Sequence, residues 1–307
     1  MIAHADPDFV VDISRASSTA ANLAASTEPH IGAHARGLDS DRLRADFARQ
    51  GAFLYLEDFL PPAAAGQLAA DARALLSEVN RNYLPGHKQG GSVSRHTIDR
   101  LAPFIAQLYR SKELIGWLER TCGEALQLSP EDDAHAYALY YYTRPGDHIG
   151  WHYDTSYYDG RRYTVLLGVI DDSSCRLDYE LHTRNADVAD EPGSVQIPPG
   201  GLVFFDGDKL RHRISPMGAN EMRVSLTFEY VTNPNMRAWR RFVSNMKDAI
   251  AYFGFKQVFR QLSQRRAGRD AAGGTSGGTS SGTDGGTDGG TDGSTPGSRA
   301  DGAGGTL

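Results

Sequence analysis

Apolar and polar positions alternate in short runs through the middle of the chain. Five segments between residues 134 and 232 have this β-type pattern: AHAYALYYYT (134–143), RYTVLLGVID (162–171), RLDYELHT (176–183), GGLVFFDG (200–207) and MRVSLTFEYV (222–231). Turn residues such as RPGD and PPGG separate the runs. Short strands at close spacing predict an all-β sandwich or small barrel rather than alternating β-α units.

A helical pattern precedes this β region. Residues 39–51, DSDRLRADFARQG, read as a capped helix that ends at glycine, and residues 62–79, PAAAGQLAADARALLSEV, form an Ala/Leu-rich helix. The apolar run GAFLYLEDFLP between them is typical of a strand ended by proline. The expected fold is therefore mainly β with flanking helices.

Both ends of the chain have weaker or different patterns. Residues 1–38 are rich in Ala, Ser and His and predict a flexible arm, whereas residues 266–307 are a Gly/Thr/Ser/Asp repeat that predicts a disordered, solubilising tail or a tether. We expect one domain over residues 39–265, with its β core at about 134–232. Residues 236–262 are amphipathic and basic, and predict helices that close the core or bind a membrane surface or partner.

Composition narrows the classes of function. The formal net charge of -6 over 307 residues argues against a general affinity for nucleic acid, and favours a small-molecule substrate. No apolar run approaches the roughly 18 residues of a membrane span, and no export signal begins the chain, so we expect a cytoplasmic protein. Cys122 and Cys175 are too few for a disulfide framework and should be reduced thiols. The oligomeric state stays open.

The candidate chemistry starts at His152 and Asp154, just after the turn RPGD. Side chains two positions apart in a strand project from one face, so an imidazole and a carboxylate are presented together. This pair alone is a weak signal, because a histidine near an aspartate is usually structural. His212, after the apolar run 200–207, can reach across a barrel and complete two histidines and one carboxylate, the ligand set of the non-haem Fe(II) facial triad.

A cation and two hydroxyls follow His212 in the last β run. Arg223, Ser225 and Thr227 stand at alternate positions and therefore share a strand face. A guanidinium with hydroxyls beside it suits a carboxylate ligand bound by two hydrogen bonds. A surface strand charge is the simpler alternative for Arg223.

Four segments together resemble the Fe(II)/2-oxoglutarate-dependent dioxygenase superfamily, in its prolyl-4-hydroxylase-like branch. They are RPGDHIGWHYD (144–154), RYTVLLGVID (162–171), GGLVFFDGDKLRHRISPMG (200–218) and RVSLTFEY (223–230). The resemblance covers roughly residues 40–235 and rests on H-x-D, a distal His and a downstream R-x-S. It implies a double-stranded β-helix, or jelly-roll, core.

The resemblance also implies roles for individual residues. His152, Asp154 and His212 would bind Fe(II), and Arg223, helped by Ser225, would bind the distal carboxylate of the cosubstrate 2-oxoglutarate. Tyr142 matches a position that supplies a tyrosine to the cosubstrate in some members, with Tyr140 and Tyr141 as alternatives. Dioxygen would be the second cosubstrate, and ascorbate an optional addition.

The chain also departs from the family pattern. Gly168 stands where some relatives place a bulky side chain that contacts the cosubstrate, and SSCRLDYELHT lacks the usual Gly-Gly-Glu-Leu stretch. Some relatives halogenate, and these have a small residue at the carboxylate position that Asp154 occupies here. Asp154 therefore favours hydroxylation over chlorination.

The expected activity is hydroxylation of a small molecule, such as an amino acid, with release of succinate and CO2. A prolyl-type peptidyl hydroxylase and a non-catalytic metal-binding or sensor protein are the alternatives. The polar, glycine-bearing segment 85–99, PGHKQGGSVSRHTID, is a candidate lid or an ordinary surface loop. Its His87, Lys88, Arg95 and His96 are candidates for contact with a charged substrate.

Overall fold

A computed structural model describes residue 31 and residues 34–235, all of which belong to one compact unit. Most of the expected arm, the amphipathic segment 236–262 and the tail 266–307 lie outside the described residues, and the predictions for them stay predictions. Ile31 and Ala35 are buried in the core, so packed structure starts before Asp39. No helix in the described ranges has the length and apolarity of a membrane span, and the cytoplasmic location stays a prediction.

After the helical residues 34–37, five further α-helices and one 3₁₀ turn cover one side of the described structure. They are α1 (Ser40–Arg49), α2 (Pro62–Ala74), the 3₁₀ turn Leu76–Glu78, α3 (Arg95–Leu101), α4 (Pro103–Tyr109) and α5 (Lys112–Cys122). The predicted cap of α1 is confirmed, since the Asp39 side chain accepts a hydrogen bond from Arg42 N. Proline opens both α2 and α4, where its missing N–H costs nothing.

Within residues 34–235, twelve strands form one antiparallel sheet. They are β1 (Phe53–Leu56), β2 (Asn80–Leu84), β3 (Lys88–Ser94), β4 (Gln127–Leu128), β5 (Tyr137–Tyr142), β6 (His148–His152), β7 (Arg162–Asp172), β8 (Leu177–Leu181), β9 (Glu191–Val195), β10 (Leu202–Asp206), β11 (Arg211–Ile214) and β12 (Met222–Val231). The strand order is β1-β10-β7-β12-β5-β3-β6-β11-β8-β9, with β2 paired to β3 and β4 to β12. The sheet curls, and the predicted mainly β fold with a jelly-roll core is confirmed.

The sheet separates two apolar clusters. The larger cluster lies between the helices and one face of the sheet, and the smaller one fills the opposite, inner face with residues such as Tyr142, Leu166, Phe205 and Ile214. Strand β12 shows the division by alternation: Val224, Leu226, Phe228 and Tyr230 belong to the larger cluster. The polar residues that alternate with them, Arg223, Ser225, Thr227 and Glu229, therefore face inward as a buried polar row.

The prediction of a lid at residues 85–99 is wrong for most of that segment. Residues 88–94 form β3, in the middle of the sheet order, and α3 follows directly. The sequence hid this strand because Gly90 and Gly91 look like loop residues; a Cβ at Gly91 would lie 2.3 Å from Val79 Cγ1, so a larger residue would have to displace the Val79 side chain. Arg81 of β2 binds both carboxylate oxygens of buried Asp147, which ties the hairpin to the turn before β6.

Candidate metal centre

Strand pairing brings the three predicted metal ligands together. His152 is the last residue of β6, and His212 of β11 is its direct partner across the ladder. Asp154 lies two residues beyond the end of β6, in a loop rather than in the strand. His152 Nε2 is 3.4 Å from Asp154 Oδ1, and His212 Nε2 is 3.8 Å from Asp154 Oδ2. One ligand atom from each residue fits within 4.8 Å of the others, a geometry that could hold a metal ion.

Backbone carbonyls orient both imidazole rings. His152 Nδ1 is 2.8 Å from Gly150 O, and His212 Nδ1 is 3.2 Å from Leu210 O, the carbonyl two residues earlier in each case. A ring that donates from Nδ1 to a carbonyl keeps its lone pair on Nε2. The edge of Phe205 also packs on the His212 ring, with 4.9 Å between centroids. Both Nε2 atoms are therefore available beside Asp154.

The charges at the centre favour cation binding. Burial tends to raise the pKa of Asp154, but His212, His152 and Arg162 outweigh it and hold this pKa well below its usual range. Burial, and then the charge of His152, lower the pKa of His212 to about 4. Burial alone would also lower the pKa of His152, but the hydrogen bond and charge of Asp154 raise it overall. At neutral pH the centre thus has an ionised carboxylate and a neutral His212.

Arg223 lies on the inner face of β12, where the sequence placed a carboxylate-binding cation. It is 1% exposed; its Nε donates to Ser225 Oγ at 3.3 Å and its Nη1 donates to Cys175 O at 3.3 Å. No carboxylate forms an ion pair with Arg223 within residues 34–235. A buried guanidinium without a counter-ion is costly. The position is suited to an anionic ligand.

The structure distinguishes the three neighbouring tyrosines. Tyr142 is the direct cross-strand partner of Arg223 and belongs to the inner cluster, where burial raises its pKa. Tyr141 points to the other face and donates to Ala72 O of α2. Tyr140 shares the inner face with Tyr142, and its ring lies 4.6 Å from Lys88 Nζ. Tyr142 therefore stays the candidate beside the proposed cosubstrate.

Two of the four lid residues approach the centre. The His87 ring lies 5.9 Å from the His152 ring, and Lys88 is close enough to Asp154 for this carboxylate to influence its pKa. Burial outweighs that influence and lowers the pKa of Lys88 to about 8. Arg95 instead donates to Pro130 O, and His96 is exposed on α3. Of these four candidates for contact with a charged substrate, only His87 and Lys88 lie near the centre.

Gly168 explains one departure from the family pattern. It exchanges hydrogen bonds with the turn before β10: Gly168 N donates to Gly201 O and Gly200 N donates to Gly168 O, both at 2.9 Å. A Cβ at Gly168 would lie 2.1 Å from Pro198 O. The position has no room for the bulky cosubstrate-contacting side chain that some relatives carry.

The sequence interpretation missed the residues behind Asp154. Thr164 donates to Asp154 Oδ2 at 3.0 Å, and Glu229 and Arg162 lie behind Thr164. The available signal was the alternation of β12, which continues past Thr227 to a fourth polar residue, Glu229. A buried acid on a core strand indicates a specific partner.

Comparisons with known proteins agree with this architecture. The family model described as "Halogenase D" matches residues 37–159, a range that includes His152 and Asp154 but ends before His212. Among curated protein sequences, none matches the chain. Several solved structures have a similar fold.

The epimerase SnoN from nogalamycin biosynthesis, solved in complex with Fe3+, alpha ketoglutarate and nogalamycin RO, has a TM-score of 0.52 at 15% identity, over 62% of this chain and 83% of SnoN. The carbocyclase SnoK from the same biosynthesis has 0.52 at 14% identity, over 66% and 90% of the two chains. A Trichoplax adhaerens prolyl hydroxylase in complex with a peptide fragment has 0.50 at 16% identity, over 67% and 92%. The chain has the fold of the Fe(II)/2-oxoglutarate-dependent oxygenases.

Proposed function

We propose that the protein is an Fe(II)- and 2-oxoglutarate-dependent oxygenase that hydroxylates an unactivated C–H bond of a small molecule, such as an amino acid. One observation carries the proposal. The cluster of His152, Asp154 and His212 borders the same inner face as Arg223, a buried cation without an ion-pair partner in the described part of the chain. A metal centre and an anion site in one barrel suit a cosubstrate that binds metal at one end and carries a carboxylate at the other.

The donor set fits Fe(II). His152, Asp154 and His212 would hold the metal through two imidazole nitrogens and one carboxylate oxygen, the donor set of non-haem Fe(II) oxygenases, which leaves positions open for cosubstrate and dioxygen. Arg223 would bind the distal carboxylate, with Ser225 Oγ orienting its guanidinium from 3.3 Å and Tyr142 beside it. When bound, iron and 2-oxoglutarate supply the oxidising chemistry, with succinate and CO2 as products.

The remaining residues of the inner face would exclude water and aim the substrate. Phe205, Leu166 and Ile214 make the surroundings of the centre apolar. On the other side, His87 and Lys88 supply a polar, cationic edge beside His152. This edge supports a substrate that carries an anionic group, as an amino acid does.

The test is a screen of free amino acids and related metabolites with the full-length protein, Fe(II), 2-oxoglutarate and ascorbate. We expect substrate-stimulated succinate formation together with a product that gains one oxygen atom by mass. His152→Ala and His212→Ala should each abolish turnover while keeping the thermal unfolding midpoint near that of the wild type, because each removes one of only three metal anchors. Near-normal turnover in both variants would disprove the metal assignment.

A peptidyl hydroxylase is the second candidate. The fold similarity to a prolyl hydroxylase whose structure contains a peptide fragment favours it. Proline-containing peptides in the same screen separate the two, since hydroxylated peptide with no response to metabolites would replace the small-molecule proposal. A product without added oxygen would indicate a reaction other than hydroxylation, as the names epimerase and carbocyclase describe for SnoN and SnoK.

A further inference from the structure

Glu229 is a buried acid for which the proposed reaction has no use. It lies on the inner face of β12, directly opposite Thr164 of β7 in the ladder. Its side chain is 6% exposed, and Arg162 Nε donates to Glu229 Oε2 at 2.8 Å. Replacing a buried ion pair by apolar residues often leaves stability unchanged, because desolvation offsets the attraction between the charges. The pair therefore needs an explanation beyond the stability of the fold.

The hydroxyl of Thr164 connects this ion pair to the metal centre. Thr164 Oγ1 lies 2.9 Å from Glu229 Oε2 and 3.0 Å from Asp154 Oδ2, and Thr164 is 0% exposed. Arg162 and Thr164 are two positions apart on β7 and share its inner face. The hydroxyl has a single proton, and Glu229 Oε2 already accepts a hydrogen bond from Arg162 Nε, which leaves the Thr164 proton for Asp154 Oδ2. No solvent competes for the hydroxyl at this depth.

Asp154 depends on side-chain contacts for its orientation. Strand β6 ends at His152, so ladder hydrogen bonds do not hold Asp154. Its Oδ1 faces His152 Nε2 at 3.4 Å, while Oδ2 is the oxygen that Thr164 contacts at 3.0 Å and lies farther from a histidine, at 3.8 Å from His212 Nε2. The hydroxyl engages one of the two carboxylate oxygens and leaves the other directed at the histidine.

We propose that Thr164 is a positioning residue which, backed by the Glu229–Arg162 ion pair, orients the Asp154 carboxylate so that it binds the metal through a single oxygen. The inference rests on the proposed function only in taking Asp154 as a metal ligand. Groups that hydrogen-bond to metal ligands orient them and raise metal affinity. One-oxygen binding by Asp154 also preserves the three open positions that bidentate 2-oxoglutarate and dioxygen require.

Metal affinity is measured directly, without turnover. The full-length protein is titrated with Co(II) alone, with calorimetry for affinity and the visible absorption spectrum for coordination geometry. Thr164→Val deletes the hydroxyl with little change in shape and should weaken Co(II) binding by roughly 10–100-fold, with an altered spectrum. Thr164→Ser restores a hydroxyl and should bind Co(II) within about threefold of the wild type. If Thr164→Val does not fold, Thr164→Ala replaces it with the same expectation.

Thr121→Val is the matched control. Thr121 is a buried threonine of α5 that donates to Trp117 O, and it is remote in sequence and contacts from Asp154. The affinity of the Thr121→Val protein for Co(II) should equal that of the wild type. Wild-type affinity and spectrum in Thr164→Val would overturn the inference and leave the proposed function intact. Equal weakening in Thr164→Val and Thr164→Ser would also overturn it, since packing rather than the hydroxyl would matter. No Co(II) binding by the wild type would overturn both.

Discussion

At the scale of single residues, Arg223 makes the cosubstrate assignment testable. Arg223→Ala should weaken 2-oxoglutarate binding by at least roughly 30-fold, because loss of one partner from a buried charge pair costs about 2–5 kcal/mol. Co(II) affinity should change little. Calorimetry with 2-oxoglutarate and the Co(II)-loaded protein measures both.

Arg213→Ala is the control for that experiment. Arg213 follows His212 on β11 and packs on Trp151, with its side chain 42% exposed. Its removal should leave 2-oxoglutarate binding unchanged. Equal affinity in Arg223→Ala and the wild type would mean that the cosubstrate carboxylate binds elsewhere.

Asp154 determines the expected reaction type. Although residues 37–159 match a halogenase family model, a carboxylate at this position fills an iron site and lowers the net charge of the centre, which disfavours halide. We expect only hydroxylated product from the native protein, even at high chloride. Asp154→Gly should lose most hydroxylation. Mass spectrometry of turnovers in chloride buffer is the measurement, and a chlorinated product from the unmutated enzyme would show that Asp154 is not an iron ligand.

The sequence was sufficient to predict the metal-binding and carboxylate-binding residues, but not the residues that hydrogen-bond to them. His152, Asp154, His212 and Arg223 stand out because metal-binding and carboxylate-binding residue types recur at or next to β runs, although Asp154 lies in the loop after β6. Thr164 is an ordinary β-strand residue by type, so nothing in its local sequence marks its contact with Asp154, ten positions earlier. That contact depends on how the loop after β6 folds against β7.

At the scale of elements, alanine substitutions at two glycines should change the stability of the protein in opposite directions. Gly168→Ala should destabilise the protein by about 2–4 kcal/mol, because its Cβ would lie 2.1 Å from the backbone oxygen of Pro198 and the turn before β10 would have to move. A Cβ at Gly66 of α2 would have nothing within 4 Å, so Gly66→Ala should stabilise by about 0.5–1 kcal/mol through helix propensity. Urea unfolding of both variants gives the two values; a neutral Gly168→Ala would contradict the close approach.

Elements with a regular pattern were predicted better than those without one. The five β runs all contain strands: the run 222–231 coincides with β12, the run 162–171 is one residue shorter than β7, and the other three strands are shorter than their runs because turn residues and pairing partners set their ends. Strand β3 was mistaken for part of a lid because Gly90 and Gly91 resemble loop residues. Strand β2 was not predicted, since Asn80, Arg81 and Asn82 give no apolar alternation. Pairing of β3 with β5 and β6 stabilises the hairpin that β2 and β3 form.

At the scale of the whole molecule, Asp71 makes stability depend on pH. Burial of this α2 residue raises the pKa of its carboxyl from 3.8 to about 6, despite a hydrogen bond from Gln67. The native state therefore binds the proton more tightly than the unfolded chain between pH 4 and 6. The protonated Asp71 therefore contributes up to about 3 kcal/mol to the free energy of unfolding below about pH 4. This contribution is lost as the pH rises through 6.

Asp71→Asn removes this dependence. At pH 7.5 the free energy of unfolding, measured with urea, should be roughly 1–2 kcal/mol higher for the variant than for the wild type. This difference should disappear at pH 4. Asp41→Asn, an exposed acid in the first turn of α1, is the matched control and should show no comparable trend. A gain for Asp71→Asn that is equal at pH 4 and pH 7.5 would contradict the proposed origin of the effect.

Local sequence alone was enough for the fold class, the region of the β core and the metal-binding residue types. Alternation within a strand depends on residues a few positions apart, and this information is present in any short segment. The pairing of β11 with β6, the choice of Tyr142 over Tyr141 and the link from Glu229 to Asp154 required the folded chain. These depend on which strands become neighbours, and strand order is set by the burial of the whole sheet rather than by any one strand.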